Sequence, residues 1–275
     1  MMSDKSGKMP SAMPFIAALP MYDWPERRGE VDAEWAVTRD RLKNYWIDAP
    51  DVLTRQNADL PPVPGGIRNM KGELIAPDPA TLPAEELDLP TLWRHPALMF
   101  GQTCWGPMTN GLELEVIVIG QPDYSGIEGC DGPFYSSVIV MRRTDAPGGK
   151  ACPAPESGQA LIPLDCLCGS HFAFNSTESL SGYLALFQDL NAIGASIALF
   201  GGLRPTGSHR ASIRAVASGA ADSAAIDARS WQLARHYEAA AQRLVPVGWT
   251  ARRKGLPFIA SRLLATQILP LQQSL

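Results

Sequence analysis

Cysteine is scarce in this chain: five residues in 275 (Cys104, Cys130, Cys152, Cys166 and Cys168), unevenly spaced. That count excludes a disulfide framework and a zinc site of paired CxxC type. The four histidines, His95, His171, His209 and His236, show neither HxH nor HExxH spacing, so neither a metal nor another cofactor is expected. Basic charge is not in excess either. With 24 Lys and Arg against 28 Asp and Glu, the net charge is -4, and the scattered cations form no stripe of the kind a nucleic acid needs. Pro, Gly or charge interrupts every apolar run short of the roughly 18 residues that span a bilayer, so membrane insertion is not expected. Near the N-terminus Lys5 and Lys8 precede an apolar stretch at 15–19, but Pro10, Pro14 and Pro20 confine it. An h-region of about 7 to 15 apolar residues is thus lacking, and no signal peptide is expected in these residues.

What remains is an ordinary globular composition, 45% hydrophobic and 19% charged, with Gly and Pro at 24 each, below the low-complexity range. At roughly 100 to 200 residues per domain, the length fits one large domain or two medium lobes. A small or neutral partner is the class these values leave.

Along the chain, 15–19 reads as a buried strand ended by Pro20. Pro25 then opens a helix on which Val31, Trp35, Leu42, Tyr45 and Trp46 recur at helical spacing. Residues 56–90 are so punctuated by Pro, Gly and Asp that they read as a surface insertion without core secondary structure. Strands are expected at 97–100, 112–119, 135–141, 171–175, 224–227, 245–249 and 257–260. Helices are expected at 181–193 (closed by Gly194), 209–218 (closed by Gly219) and 229–241. Strands alternating with helices imply parallel sheet. There is no internal repeat.

The segment Asn175-Ser-Thr-Glu-Ser-Leu-Ser-Gly-Tyr183 links a strand to an amphipathic helix and sets Ser176, Thr177, Ser179 and Ser181 at a helix start. Unpaired N–H groups and partial positive charge gather there, and neighbouring hydroxyls complete an oxyanion site. Gly182 permits close approach to the backbone. The plainer reading is an N-cap by Ser179 or Ser181. Neither a P-loop lysine nor GxGxxG is present, so nucleotide phosphates are disfavoured. His209 stands in the first turn of a second helix, and Asp227 ends a strand, where open α/β sheets bind ligands but where turns and caps also place Asp.

The run Thr206-Gly-Ser-His-Arg-Ala-Ser212 continuing to Asp227, together with Ser179-Leu-Ser-Gly-Tyr183, closely resembles the phosphate/phosphite/phosphonate ABC-transporter substrate-binding proteins of the PhnD-like family. Leu19-Pro-Met-Tyr22, Gln102-Thr-Cys104 and Gly129-Cys-Asp-Gly-Pro-Phe-Tyr135 add to it. The resemblance covers about 14–260 without 56–90. It implies a type II periplasmic-binding-protein fold: two α/β lobes, a ligand cleft and two crossover segments, with hinge closure on a phosphorus oxyanion. The lobes are expected at 14–124 plus 245–275, and at 125–244. By the same resemblance Ser179, Ser181, Gly182 and Tyr183 match the oxyanion-binding helix start and His209 the ligand-contacting histidine. Asp227 matches a cleft-facing position, while Tyr22, Gln102, Thr103 and Tyr135 fall at strand ends facing the cleft. An ABC permease is the implied partner. Trp105 departs from the pattern, in a place where it would narrow the pocket. The family resemblance implies a periplasmic location, whereas the missing leader leaves a cytoplasmic one open.

Three other readings compete. Ser181, His209 and Asp227 make a nucleophile triad by composition, but without a GxSxG elbow. The pyrimidine-precursor synthases of thiamine metabolism use this fold with a Cys and His cluster that is absent here. A cytosolic sensor module would keep the cleft and signal to a protein partner.

Overall fold

The structure, a computed structural model, describes residues 14–44 and 47–268; Tyr45 and Trp46 of the expected first helix lie outside them. Two sheets organise the chain. Strand β1 (Ile16–Ala18) is wholly buried, and after a turn at Pro25–Arg27 helix α1 (Arg28–Lys43) buries Val31, Trp35 and Leu42. Helix α2 (Leu89–Arg94), with Asp88 accepting from the Thr91 N–H, leads into β2 (Leu98–Gln102), helix α3 (Trp105–Thr109) and β3 (Val116–Gly120). The strand expected over 112–119 forms only in its second half. Gly111, at φ +95°, starts a 3-10 turn at Leu112–Leu114 that buries Leu112 and exposes Leu114, an alternation that imitates a strand.

The second sheet holds β4 (Ser137–Arg142), β5 (His171–Phe174), β6 (Gly202–Pro205), β7 (Ser223–Asp227) and β8 (Leu244–Trp249). The sequence reading omits β6, which is mostly exposed. Helix α4 (Ala185–Ala192) follows β5, and α5 (His209–Ser218) is bounded by the Ser208 cap and by Gly219 at φ +82°. Helix α6 (Ala228–Tyr237) stops short of the expected residue 241. There Glu238 leaves helical geometry and reaches Arg210 and Arg214, each 2.7 Å away.

The strand orders are β1-β2-β9-β3, with β9 at Phe258–Ser261, and β8-β4-β7-β5-β6. Neither sheet is purely parallel as expected. In the first, β9 alone runs against its neighbours. In the second, β4 alone does so. Both strands enter directly from the other lobe rather than over a helix, so they arrive reversed. The expected lobe boundary at 244/245 also moves, because Leu244–Trp249 pairs with β4 and the chain returns only after it. The two crossovers, 121–136 and 250–257, pair with each other through Tyr135↔Arg253 and Phe134↔Lys254.

Each sheet is covered on both faces. Val31 and Trp35 of α1 pack with Phe100 and Ile119 on one side of the first sheet, and Leu92, Trp93 and Met108 pack with Leu98 and Ile259 on the other. In the second lobe α5 and α6 cover Val138, Val140 and Ile226, while Leu186 and Leu190 of α4 cover Ile139 and Phe172. Residues 56–90 are more than a surface excursion. They contain a hairpin (Ile67–Arg68 with Leu74–Ala76), and Leu60, Leu87 and Leu89 join the first lobe's core.

Candidate binding cleft

A cleft of about 280 Å³ lies between the lobes, walled by Tyr22, Leu89, Pro90 and Trp93 on one side and by Asn175, Ser179, Ser181, His209 and Asp227 on the other. After β5 the chain enters α4 through one wide turn, Leu180–Leu184, in which the Leu184 N–H donates to the Ser179 carbonyl at 3.0 Å. Such π-type turns recur at functional sites. The Ser179 Oγ accepts from the Gly182 N–H at 3.1 Å, so the capping role is real. Its own O–H remains available to donate. A Cβ on Gly182 would overlap the Asn175 side chain, so the close approach at this glycine is made by Asn175.

The two helix starts meet. Ser181 Oγ lies 2.9 Å from His209 Nε2, while Nδ1 is buried and makes no hydrogen bond of ordinary geometry. Burial pushes the imidazole below its usual range, against the opposing pull of the Asp227 carboxylate and the Ala225 carbonyl, so His209 is neutral near pH 7. Asp227, 2% exposed, accepts from the Tyr22 hydroxyl and from the Ser230 N–H, both at 2.7 Å. Burial first, and Asp227 second, raise Tyr22 well above its ordinary value and keep its proton in place. The residues lining the cleft include two carboxylates, Glu178 and Asp227, and no Lys or Arg.

The other expected positions divide. Thr103 is wholly buried, with Oγ1 unpartnered. Gln102 faces a second cavity rather than this cleft. Tyr135 stacks on Tyr124 at 5.7 Å, its buried Oη without a hydrogen bond of ordinary geometry although Ser181 is near enough to influence it. Tyr183 is part of an aromatic cluster with Phe174 and Phe187, at 4.7 and 4.1 Å. Trp105 does not narrow the cleft. Its Nε1 donates to the Gly255 carbonyl at 2.7 Å, tying α3 to the second crossover. Sequence reasoning missed Leu89, Pro90 and Trp93; the apolar spacing of 87, 89, 92 and 93 at the end of the Pro-rich stretch was the available signal.

Contacts span the cleft on all sides. The Leu180 N–H donates to Cys104 Sγ at 3.3 Å, and the Asn110 amide donates to Glu178 at 3.1 Å. Arg210 pairs with Glu26 and lies over the Trp24 ring at 4.8 Å. A Cβ on Gly106 would overlap the Glu178 carbonyl oxygen, so the lobes meet here with no room to spare.

A family model described as the periplasmic substrate-binding protein of phosphonate ABC transporters matches residues 114–268. No curated protein matches the chain in sequence. Among solved structures, the fold is similar to PhnD1 from Prochlorococcus marinus in complex with methylphosphonate. The TM-score is 0.58 at 19% identity, over 94% of this chain and 81% of that one. It is also similar to a binding protein component of an ABC phosphonate transporter from Pseudomonas aeruginosa, with a TM-score of 0.55 at 13% identity, over 93% and 72%. Two α/β lobes joined by paired crossovers make this a type II periplasmic-binding-protein fold.

Proposed function

The chain belongs to the family of periplasmic substrate-binding proteins of phosphonate ABC transporters, and from that membership we propose that it captures a phosphorus oxyanion between its lobes and presents it to an ABC permease. The observation that carries the reading is the convergence of two helix starts. Ser179 and Ser181 from one, and His209 from the other, face Tyr22 of the opposite lobe across a single cleft. In the tautomer with the proton on His209 Nε2, Ser181 accepts from the ring and donates its O–H to the ligand, and Ser179 donates from the helix cap. With His209 neutral and no cation in the wall, the site relies on neutral donors. Two nearby carboxylates disfavour a dianion, so the preferred form is the monoanion, whose remaining proton meets an acceptor.

Binding without turnover is part of the proposal. The Ser181–His209 contact has nucleophile-and-base spacing, but both Asp227 oxygens are engaged by Tyr22 and Ser230 rather than by His209 Nδ1, so the orienting third member of a triad is missing. A thermal-shift and calorimetry screen with methylphosphonate, phosphite, phosphate and sulfate tests the reading. A ligand at 100 times its Kd adds about 2.7 kcal/mol of stability. No response to any phosphorus anion, or product formed from one that disappears in Ser181→Ala, would overturn it.

A further inference from the structure

Behind Tyr22 lies a second cavity of about 420 Å³, bounded by α1, the end of β2, the first crossover and the start of α6. Its polar lining is unusual in what it leaves unmatched. Arg27, with a side chain 7% exposed, gives Nε to Glu30 and Nη2 to Glu34, while its buried Nη1 has no acceptor. The buried Nε2 of Gln121 has none either. Arg229 lies over the Tyr22 ring at 5.2 Å, its buried Nε unpartnered, and among the described residues it forms no ion pair. All three unmatched groups are donors. The acidic residues of the lining are otherwise engaged: Glu34 is paired with Arg27, and exposed Asp123 accepts from the Ser125 N–H. Tyr124, the remaining titratable wall residue apart from Tyr22, is pushed above its usual range by burial and stays protonated. Arg229 is therefore the one cation in the lining without a carboxylate partner, exposed Asp123 being held by a neutral N–H, and Leu19, Val31 and Phe258 supply apolar walls.

We propose that this cavity is a second binding site, separate from the cleft, for a small organic monoanion: a carboxylate whose charged end takes the Arg229, Arg27 and Gln121 donors and whose short apolar body meets Leu19, Val31 and Phe258. Buried donors without acceptors are costly, and a guanidinium matches a carboxylate in charge and in hydrogen-bond geometry. The site joins α1 of one lobe to α6 of the other beside the first crossover, so occupancy favours the closed arrangement.

Butyrate serves as the probe, titrated by calorimetry into the full chain, alone and saturated with methylphosphonate. One butyrate site that persists at methylphosphonate saturation is expected. Arg229→Gln should weaken butyrate roughly 10- to 150-fold, the range of a hydrogen bond to a charged group, and leave methylphosphonate within about threefold. Ser181→Ala should do the reverse. Gln121→Glu, which places a carboxylate among the donors, weakens butyrate independently should Arg229→Gln not fold. Failure of butyrate to bind wild type, its displacement by methylphosphonate, or unchanged butyrate affinity in both variants overturns the second site, whatever methylphosphonate itself does.

Discussion

Ser181→Ala separates ligand binding from structural support within the cleft. The residue is 5% exposed, and its Oγ lies within hydrogen-bond distance of His209 Nε2, at 2.9 Å. Removing it leaves buried Nε2 unpartnered and costs the free protein about 1 to 3 kcal/mol. In the bound state the variant also loses a donor to a charged oxygen, worth about 1.5 to 3 kcal/mol, or roughly 10- to 150-fold in Kd. Part of that returns if His209 Nε2 turns its proton to the ligand, so the lower half of the range is expected. Calorimetry with methylphosphonate gives the affinity and urea unfolding of the free protein gives the stability. Lower stability with unchanged affinity would refute the assignment and leave Ser181 only a support for His209.

Gly106→Ala forces a methyl onto the Glu178 carbonyl across the cleft, so affinity should fall at least tenfold while the free protein keeps its melting temperature, and small-angle scattering should show a more open molecule with ligand. Asp227→Asn keeps the helix cap, since Asn caps as well as Asp, but removes a negative charge from the cleft; the fall in methylphosphonate affinity as pH rises through the ligand's second ionisation should flatten. Buried His209 and His95 titrate lower folded than unfolded, so between those values the unfolded chain binds more protons. Stability should therefore drop as pH falls through about 6.5, and less steeply in His209→Asn, as urea unfolding at stepped pH would report. Although burial pushes Glu238 upward, Arg210 and Arg214 hold it down at about 2. Its contribution is lost in a separate, more acidic window, from about pH 4.5 to 2, which Glu238→Gln should abolish.

Much of the second lobe was legible because its signals are local. The Ser208 cap and Gly219 bound α5 within single residues of the expected ends, and the hydroxyl-rich run before α4 marked the helix start at the cleft. Such features depend on a few consecutive residues and on backbone hydrogen bonds that any context must satisfy. Motif likeness carried the fold because the order of those helix starts is peculiar to it. Partner choice was not legible. The Tyr22–Asp227 bond joins residues 205 apart in sequence, which makes Asp227 an acceptor for Tyr22 and a helix cap rather than a partner for His209. The reversal of β4 and β9, the return of the chain after Trp249 instead of before Val245, and the entry of Leu89 and Trp93 into the cleft wall depend on how two sheets and two crossovers pack. Periodicity and capping specify which groups a segment offers; tertiary packing specifies which of them meet, because burial and pairing energies arise between segments that the chain brings together only once both lobes are built.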